Sequence, residues 1–345
     1  MSLAPPPPPY RRRAVVVGIN YTSCGEIALR GCANDAYAFA LALVNLWHFD
    51  PRDILLLTDD EAEYEDNKDN YKDKSARQRQ KPFRSNILQG LKWLTGGVHP
   101  GDVLVFYFAG HGLQIDNLSG WEGEGFDEAI LPLDCTHQQG DVNAISSVCL
   151  RNHFLSVSDR VQLTIFLDCA GGQSSLDVSG GNKWTFIKGV VQKGIWPLTD
   201  PTDKMHRARY DSRVWTHHTM KAKGVRPRYV PGVEVNDTNE LSDVQTRFKK
   251  GGGEKTHAYM ICGAPFSEVP VEAHCPALKI RGCDSRGVFS KDCVTVKGTH
   301  VYHGAFTWAL IRAFHDCARN NIHRRATYNL LSERVLYHIK DLMQK

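Results

Sequence analysis

DVLVFYFAGHG, Asp102 to Gly112, decides the fold. An unbroken apolar run this short, closed by small residues, reads as a strand buried on both faces, the pattern of a parallel sheet covered by helices. VQLTIFLDCA (Val161–Ala170) repeats the pattern, as do RAVVVGIN (Arg13–Asn20), DILLLTDD (Asp53–Asp60) and THAYMICG (Thr256–Gly263). Between them lie helical stretches. NDAYAFALALVNLWHF (Asn34–Phe49) places Ala36, Phe39, Ala40, Leu43, Val44 and Trp47 on one face, a core stripe. Ser85 stands where a cap would start a helix running to Thr95, stopped by Gly96 and Gly97. HGAFTWALIRAF (His303–Phe314) holds a further strand and helix, and ATYNLLSERVLYHIKDLMQK (Ala326–Lys345) a final helix. Strands alternating with helices predict an α/β fold with a mostly parallel central sheet and helices on both faces.

The segments between carry weaker patterns. Pro5 to Pro9 predict an extended leader. From Asp59 to Lys81 the chain is charged and poor in apolar residues, the composition of a solvated loop. From Val178 to Lys255 periodicity fades into Gly, Pro, Lys and Arg, predicting a surface linker whose exposed basic residues suit a trypsin-like cut. The organisation expected is a leader over 1–12, a large segment over 13–177, a linker over 178–256 and a small segment over 257–345 completing the same domain.

Composition excludes several classes. The 345 residues carry a formal net charge of +4 and 42% hydrophobic content, enough for a large core. No basic stripe interleaved with aromatics supports a nucleic-acid partner. No apolar run approaches the roughly 18 residues of a membrane span, and the N-terminal stretch lacks the apolar core of a signal peptide, so a cytoplasmic or nuclear protein is expected. The ten cysteines are scattered, as free thiols in a reducing compartment would be. His274, Cys275, Cys283, Cys293, His300 and His303 contain no C-x-x-C knuckle and make a poor zinc set.

Ligands of an open parallel sheet gather outside the carboxyl ends of its strands. Two such ends carry chemistry: AGHG (Ala109–Gly112), which sets His111 in a glycine-flanked turn, and DCAGG (Asp168–Gly172). A histidine on one strand end and a thiol on the next is the arrangement of base-assisted cysteine catalysis, and glycines leave amide N–H groups free for an oxyanion.

These residues, with VVGINY (Val16–Tyr21), LRGCANDA (Leu29–Ala36), DEAILPLD (Asp127–Asp134) and MICGAPFSE (Met260–Glu268) followed by GAFTWAL, resemble the metacaspases, caspase-fold cysteine peptidases, in the family's order along nearly the whole chain. The resemblance is to the type without a large insertion before the histidine. It implies a caspase-like three-layer sandwich, a monomer, and peptide or protein substrates cut after Arg or Lys. It makes His111 the general base and position 170 the nucleophile. Asp35 and Asp168 become the acidic pocket for the basic side chain, bordered by Cys32 and Ala109. Two carboxylates facing one guanidinium make charge-assisted hydrogen bonds, which gives the basic preference a physical footing.

The departures are as informative. Position 170 is Ala170, and the usual C-H-S-G reads AGGQ. A methyl has no attacking atom, so covalent peptidase chemistry and self-cleavage of the linker are not expected of this chain. Cys169, adjacent on an extended strand, points to the opposite side, and Ser174 is a poor nucleophile without an aligned base. A cysteine-to-alanine knockout of an active parent and natural drift to a pseudopeptidase that binds peptides both account for Ala170. The leading MSL suits the first, which is preferred, and GGQ the second. Calcium, which activates many metacaspases, is implied at Asp127 and Asp177. The expected neighbouring acidic pair reads Ser146 and Ser147, which weakens a site for a hard dication.

Overall fold

A computed structural model describes residues 10–59, 79–116, 126–135, 143–154, 156–158, 160–169, 185–186, 226–228, 258–262, 271–276, 278, 300–319 and 328–343. In chain order the first strands are β1 (Arg12–Gly18), β2 (Ile54–Thr58), β3 (Arg79–Gln80) and β4 (Val103–Ala109). Then come β5 (Gly112–Asp116), β6 (Phe126–Ile130), β7 (Ile145–Ser146), β8 (Gln162–Asp168) and β9 (Thr185–Phe186). The last are β10 (Arg226–Pro227), β11 (Ala258–Cys262), β12 (Val271–Pro276) and β13 (His300–Gly304). The α-helices are α1 (Cys32–Trp47), α2 (Arg84–Thr95), α3 (Ser147–Phe154), α4 (Ala305–Arg319) and α5 (Tyr328–Met343).

Seven strands form the main sheet in the order β3-β2-β1-β4-β8-β11-β9, every neighbouring pair parallel. β11, from the back segment, pairs with β8, so one sheet is built from both sides of the long linker. Side chains alternate across a strand, and the aromatic contacts show which helix covers which face. Tyr107 stacks on Phe39 of α1 at 4.2 Å between ring centroids, while its neighbour Phe106 meets Phe154 of α3 at 5.6 Å. Phe314 of α4 lies 6.1 Å from both Phe39 and Phe166, so α1 and α4 share a face, with α5 packed on α4. On the other face α2 joins α3: Gly90 of α2 packs against Leu55 and Val15, where an added Cβ would stand 2.9 Å from the Leu55 Cδ2. The result is the mixed α/β architecture of the caspase-like fold, with the parallel sheet as its middle layer.

Two small antiparallel sheets, β5-β6-β7 and β10-β12-β13, sit outside the main one. In the main sheet Gly18 lies beside Ala109, and Ala109 beside Asp168. That register brings the carboxyl ends of three strands into line, and the turn carrying His111 follows immediately.

Three local expectations are revised. Ser85 is inside α2 rather than its cap; the carboxylate of Asp134 accepts from the Arg84 amide at 2.7 Å and serves the helix start from a distant loop. The charged Asp59–Lys81 segment is not solvated at its ends. Asp59 is buried and accepts from the Asn20 amide at 2.7 Å, and Arg79–Gln80 extend the sheet as β3. The linker is not wholly a surface element either, since Arg228 within it is fully buried. Its burial follows from charge: two buried carboxylates surround its guanidinium. Residues 1–9 of the Pro-rich leader and 60–78 of the loop lie outside the described residues.

Gly18 marks where β1 and α1 touch. A Cβ there would collide with the Cys32 carbonyl oxygen and stand 2.6 Å from the Ala36 Cβ. Gly18→Ala is therefore expected to lower stability by about 1–3 kcal/mol, read as a lower urea midpoint at unchanged slope.

Candidate functional site

His111 stands two residues past the end of β4, after Gly110, and is 2% exposed. Its backbone is held from both sides: its N–H donates to the Tyr21 hydroxyl at 3.1 Å, and its carbonyl accepts from the Leu131 N–H at 3.1 Å. The Tyr21 hydroxyl in turn donates to the Leu131 carbonyl at 2.5 Å, and the Tyr21 and His111 rings lie 4.8 Å apart. Tyr21 adopts a positive φ of 52°, a conformation side chains resist and tertiary contacts must maintain. The imidazole Nε2 lies 2.6 Å from the Ile27 carbonyl oxygen. A carbonyl only accepts, so Nε2 carries the proton, and in the neutral ring Nδ1 is the basic nitrogen.

Asp35 and Asp168 converge on one guanidinium. Asp35 sits in the first turn of α1 and Asp168 ends β8; both are fully buried. Arg228 ion-pairs with Asp35 through Nη2 and with Asp168 Oδ2 through Nη1 at 2.8 Å, and Nη1 also donates to the Asp168 carbonyl at 3.3 Å. Gly304 leaves the space: a Cβ on it would stand 2.6 Å from Nη1 and press on the Asp168 carboxylate. The carboxylates have further donors. Asp35 accepts from His303 Nδ1 at 2.7 Å and from the Gly304 amide at 2.8 Å; Asp168 accepts from the Thr307 hydroxyl at 2.5 Å and its amide at 3.2 Å. Thr307 is itself held by the Tyr107 hydroxyl at 2.7 Å.

A third carboxylate closes the pocket. Glu272 of β12, fully buried, accepts from the Arg30 amide at 2.9 Å and the Gly31 amide at 2.7 Å, just ahead of α1. It therefore clamps the back segment onto the helix start that carries Asp35. Burial pushes the Asp168 and Glu272 carboxyls above the ordinary carboxylate range, and Arg228 opposes the rise at both. Burial works against the charge on Arg228, but the carboxylates of Asp168, Asp35 and Glu272 outweigh it and hold the guanidinium firmly protonated. Burial also raises the Cys32 thiol well above its usual range, so it stands neutral beside Arg228. Among the described residues Asp168 Oδ1, Arg228 Nε and His303 Nε2 are buried and have no hydrogen-bond partner.

Of the residues singled out in the sequence, the structure brings Asp35 and Asp168 onto one guanidinium. It sets Cys32 at the start of α1 and buries Ala109 at the end of β4, in register with Asp168. Ala170, Ser174 and Asp177 lie outside the described residues. Asp127 is on β6, and the adjacent strand supplies Ser146, paired with Ala129. The Ser146 hydroxyl is already used, accepting from the Cys149 amide at 3.1 Å. Calcium prefers several anionic oxygens, and the two serines at 146 and 147 bring none. Among the described residues no group of three or more His, Cys, Asp or Glu could hold a metal ion. His303, one of the weak zinc set, faces Asp35 instead.

Sequence reasoning missed Arg228, Glu272 and Thr307, and grouped His303 with a zinc set instead of with Asp35. Glu272 had a usable signal, a lone acid inside VPVEAHCPAL. Arg228 had little, because nothing local distinguishes it from the other basic residues of the linker.

Residues 12–179 match the family model of the metacaspase, peptidase C14 domain, a span that includes Asp35, His111, Asp168 and position 170. The chain is 34% identical over 330 residues to Metacaspase-3 of Plasmodium falciparum, an alignment covering 77% of this chain and 14% of the relative. It is 39% identical over 121 residues to Metacaspase-1 of Yarrowia lipolytica, covering 35% of this chain and 23% of that one. With Metacaspase-1 of Cryptococcus neoformans the identity is 33% over 168 residues, 48% of this chain and 33% of the relative. The matches thus span a third or less of each of these curated relatives. A solved structure from Geobacter sulfurreducens aligns over 95% of this chain at a TM-score of 0.47 and 14% identity, too distant to bear on the site.

Both oxygens of Glu272 accept from backbone amides, so an amide side chain would set an N–H against an N–H. Glu272→Gln is expected to cost about 1–3 kcal/mol, measured by urea unfolding.

Proposed function

This chain belongs to the metacaspase family of cysteine peptidases, and from that premise we propose that its cleft reads a peptide with arginine or lysine at the cleavage point. The observation that carries the proposal is Arg228, a basic side chain seated between Asp35 and Asp168. A fork of N–H donors spanning two carboxylates on different elements suits arginine best; an ammonium is a point charge and would reach them less evenly.

In a chain with cysteine at 170, His111 Nδ1 takes the thiol proton while the Ile27 carbonyl holds the ring by Nε2. The Gly112 amide, next to the histidine, donates to the carbonyl of the bound residue; here it donates to the Arg228 carbonyl at 3.3 Å. With Ala170 the same cleft binds without cutting. The proposal extends to the segment boundaries at 12, 177 and 256, to a monomer, and to residence in the cytoplasm or nucleus. Among the described residues no helix is long and apolar enough to cross a membrane. The serines at 146 and 147 support at most a weak response to calcium.

The second reading is a pseudopeptidase that serves as a peptide-binding module, favoured by the divergent residues after 170. One comparison separates them: Ala170→Cys beside the chain as given, on a fluorogenic peptide with arginine at the cleavage point, with and without calcium. The cysteine version is expected to cut at least about 1,000-fold faster. A folded but silent cysteine version would leave the binding module.

A further inference from the structure

His111 is steadied by one short loop. Residues 20–29 leave the end of β1 and close on themselves, the Leu29 amide donating to the Asn20 carbonyl at 2.6 Å. Two members reach the histidine. Tyr21 accepts the His111 N–H on its hydroxyl, and the 3-10 turn Gly25–Ile27 supplies the carbonyl that meets Nε2 at 2.6 Å. The neck of the loop is fastened from two sides. Asn20 Oδ1 accepts from the Cys32 amide at 2.9 Å and the Ala33 amide at 3.2 Å, at the start of α1. On the side of the sheet Asp59, the residue after β2, is 5% exposed and accepts the Asn20 N–H at 2.7 Å. The amides of Tyr21 and Thr22 face the same carboxylate. Successive amides around a left-handed residue form a concave seat for an anion, and Tyr21, at a φ of 52°, is that residue. Burial raises the Asp59 carboxyl above its ordinary range, and these amides oppose the rise.

We propose that Asp59 is a positioning residue for His111: its carboxylate sets the 20–29 loop, and the loop holds the imidazole with its proton on Nε2. The proposal rests on the reading of His111 as the base and names the group that orders it. A neutral imidazole carries its proton on one nitrogen and is basic at the other. The Ile27 carbonyl selects the form that is basic at Nδ1, so a loop that shifts admits the other tautomer. A tyrosine at positive φ persists only where its surroundings impose that conformation, and Asp59 does so through charge-assisted hydrogen bonds to the backbone around it. Asparagine has the same shape, but it is neutral and turns an NH₂ group toward amide donors. With it the loop relaxes, and Tyr21 and Ile27 shift together because both belong to that loop.

The test is the tautomer of His111, read by nuclear magnetic resonance from the imidazole nitrogen shifts of the isotope-labelled chain as given and assigned by their loss in His111→Gln. The unaltered chain is expected to show the Nε2–H form, and Asp59→Asn a mixture of both tautomers. Asp102→Asn controls for a merely structural effect. Asp102 is also a buried carboxylate held by backbone amides, those of Arg11 and His99 at 2.9 Å each, but it stands at the opposite end of β4. Its variant is expected to keep the Nε2–H form. An unchanged tautomer in folded Asp59→Asn, or an equal shift in Asp102→Asn, overturns the proposal. Should Asp59→Asn fail to fold, Asp59→Ser leaves a hydroxyl for the Asn20 amide and carries the same comparison; if neither folds, Asp59 is a fold element alone and the proposal is refuted. In the Ala170→Cys chain, Asp59→Asn is expected to lower kcat about 10–100-fold with KM for the arginine peptide within about twofold, because other donors hold Asp35 and Asp168. An unchanged kcat overturns the proposal. A silent Ala170→Cys chain removes the peptidase reading, and the tautomer comparison then decides on Asp59.

Discussion

A buried charge cluster, Asp35 and Asp168 around Arg228, is the constraint to which the rest of this structure answers. Charges taken out of water must be paired and hydrogen-bonded, and removing one member of such a pair typically costs about 3–5 kcal/mol. Each member comes from a different part of the chain: the first turn of α1, the end of β8, and the linker. The donors that complete the carboxylates come from a fourth, since His303, Gly304 and Thr307 belong to the back segment. The cluster can therefore exist only when front segment, linker and back segment are assembled together.

The sheet makes that assembly geometrically possible. Parallel pairing aligns the ends of β1, β4 and β8 through Gly18, Ala109 and Asp168, and β11 adds the back segment to the same sheet. Small residues sit where elements come closest. Gly18 lets α1 reach the strand end, and Gly304 leaves the volume that the Arg228 guanidinium fills. Glu272 then bonds the amides just ahead of α1, fixing the helix that presents Asp35.

Beside this pocket stands the histidine proposed as the base, held on several sides. His111 is buried, its ring is anchored by the Ile27 carbonyl, and its backbone is tied to Tyr21 and Leu131. What departs from a cysteine peptidase is the side chain at 170, an alanine. The carboxylates that grip the Arg228 guanidinium are different groups from the side chain at 170, so the ion-paired cluster needs no thiol there.

By itself the sequence determined the elements and the motifs. Apolar runs ending in small residues, as in DVLVFYFAGHG, read as covered parallel strands, and AGHG and DCAGG mark the strand ends where chemistry collects. It also determined that residue 170 brings a methyl and no thiol. Only the tertiary structure decided what fills the acidic pocket and what steadies its walls. Arg228 lies 193 residues from Asp35, Glu272 lies 241 from Gly31, and Ile27 lies 84 from His111. Periodicity and turn chemistry report on neighbours within a few positions, so a basic residue in a weakly patterned linker looks solvated. Its burial arises from carboxylates that only the folded chain brings to it.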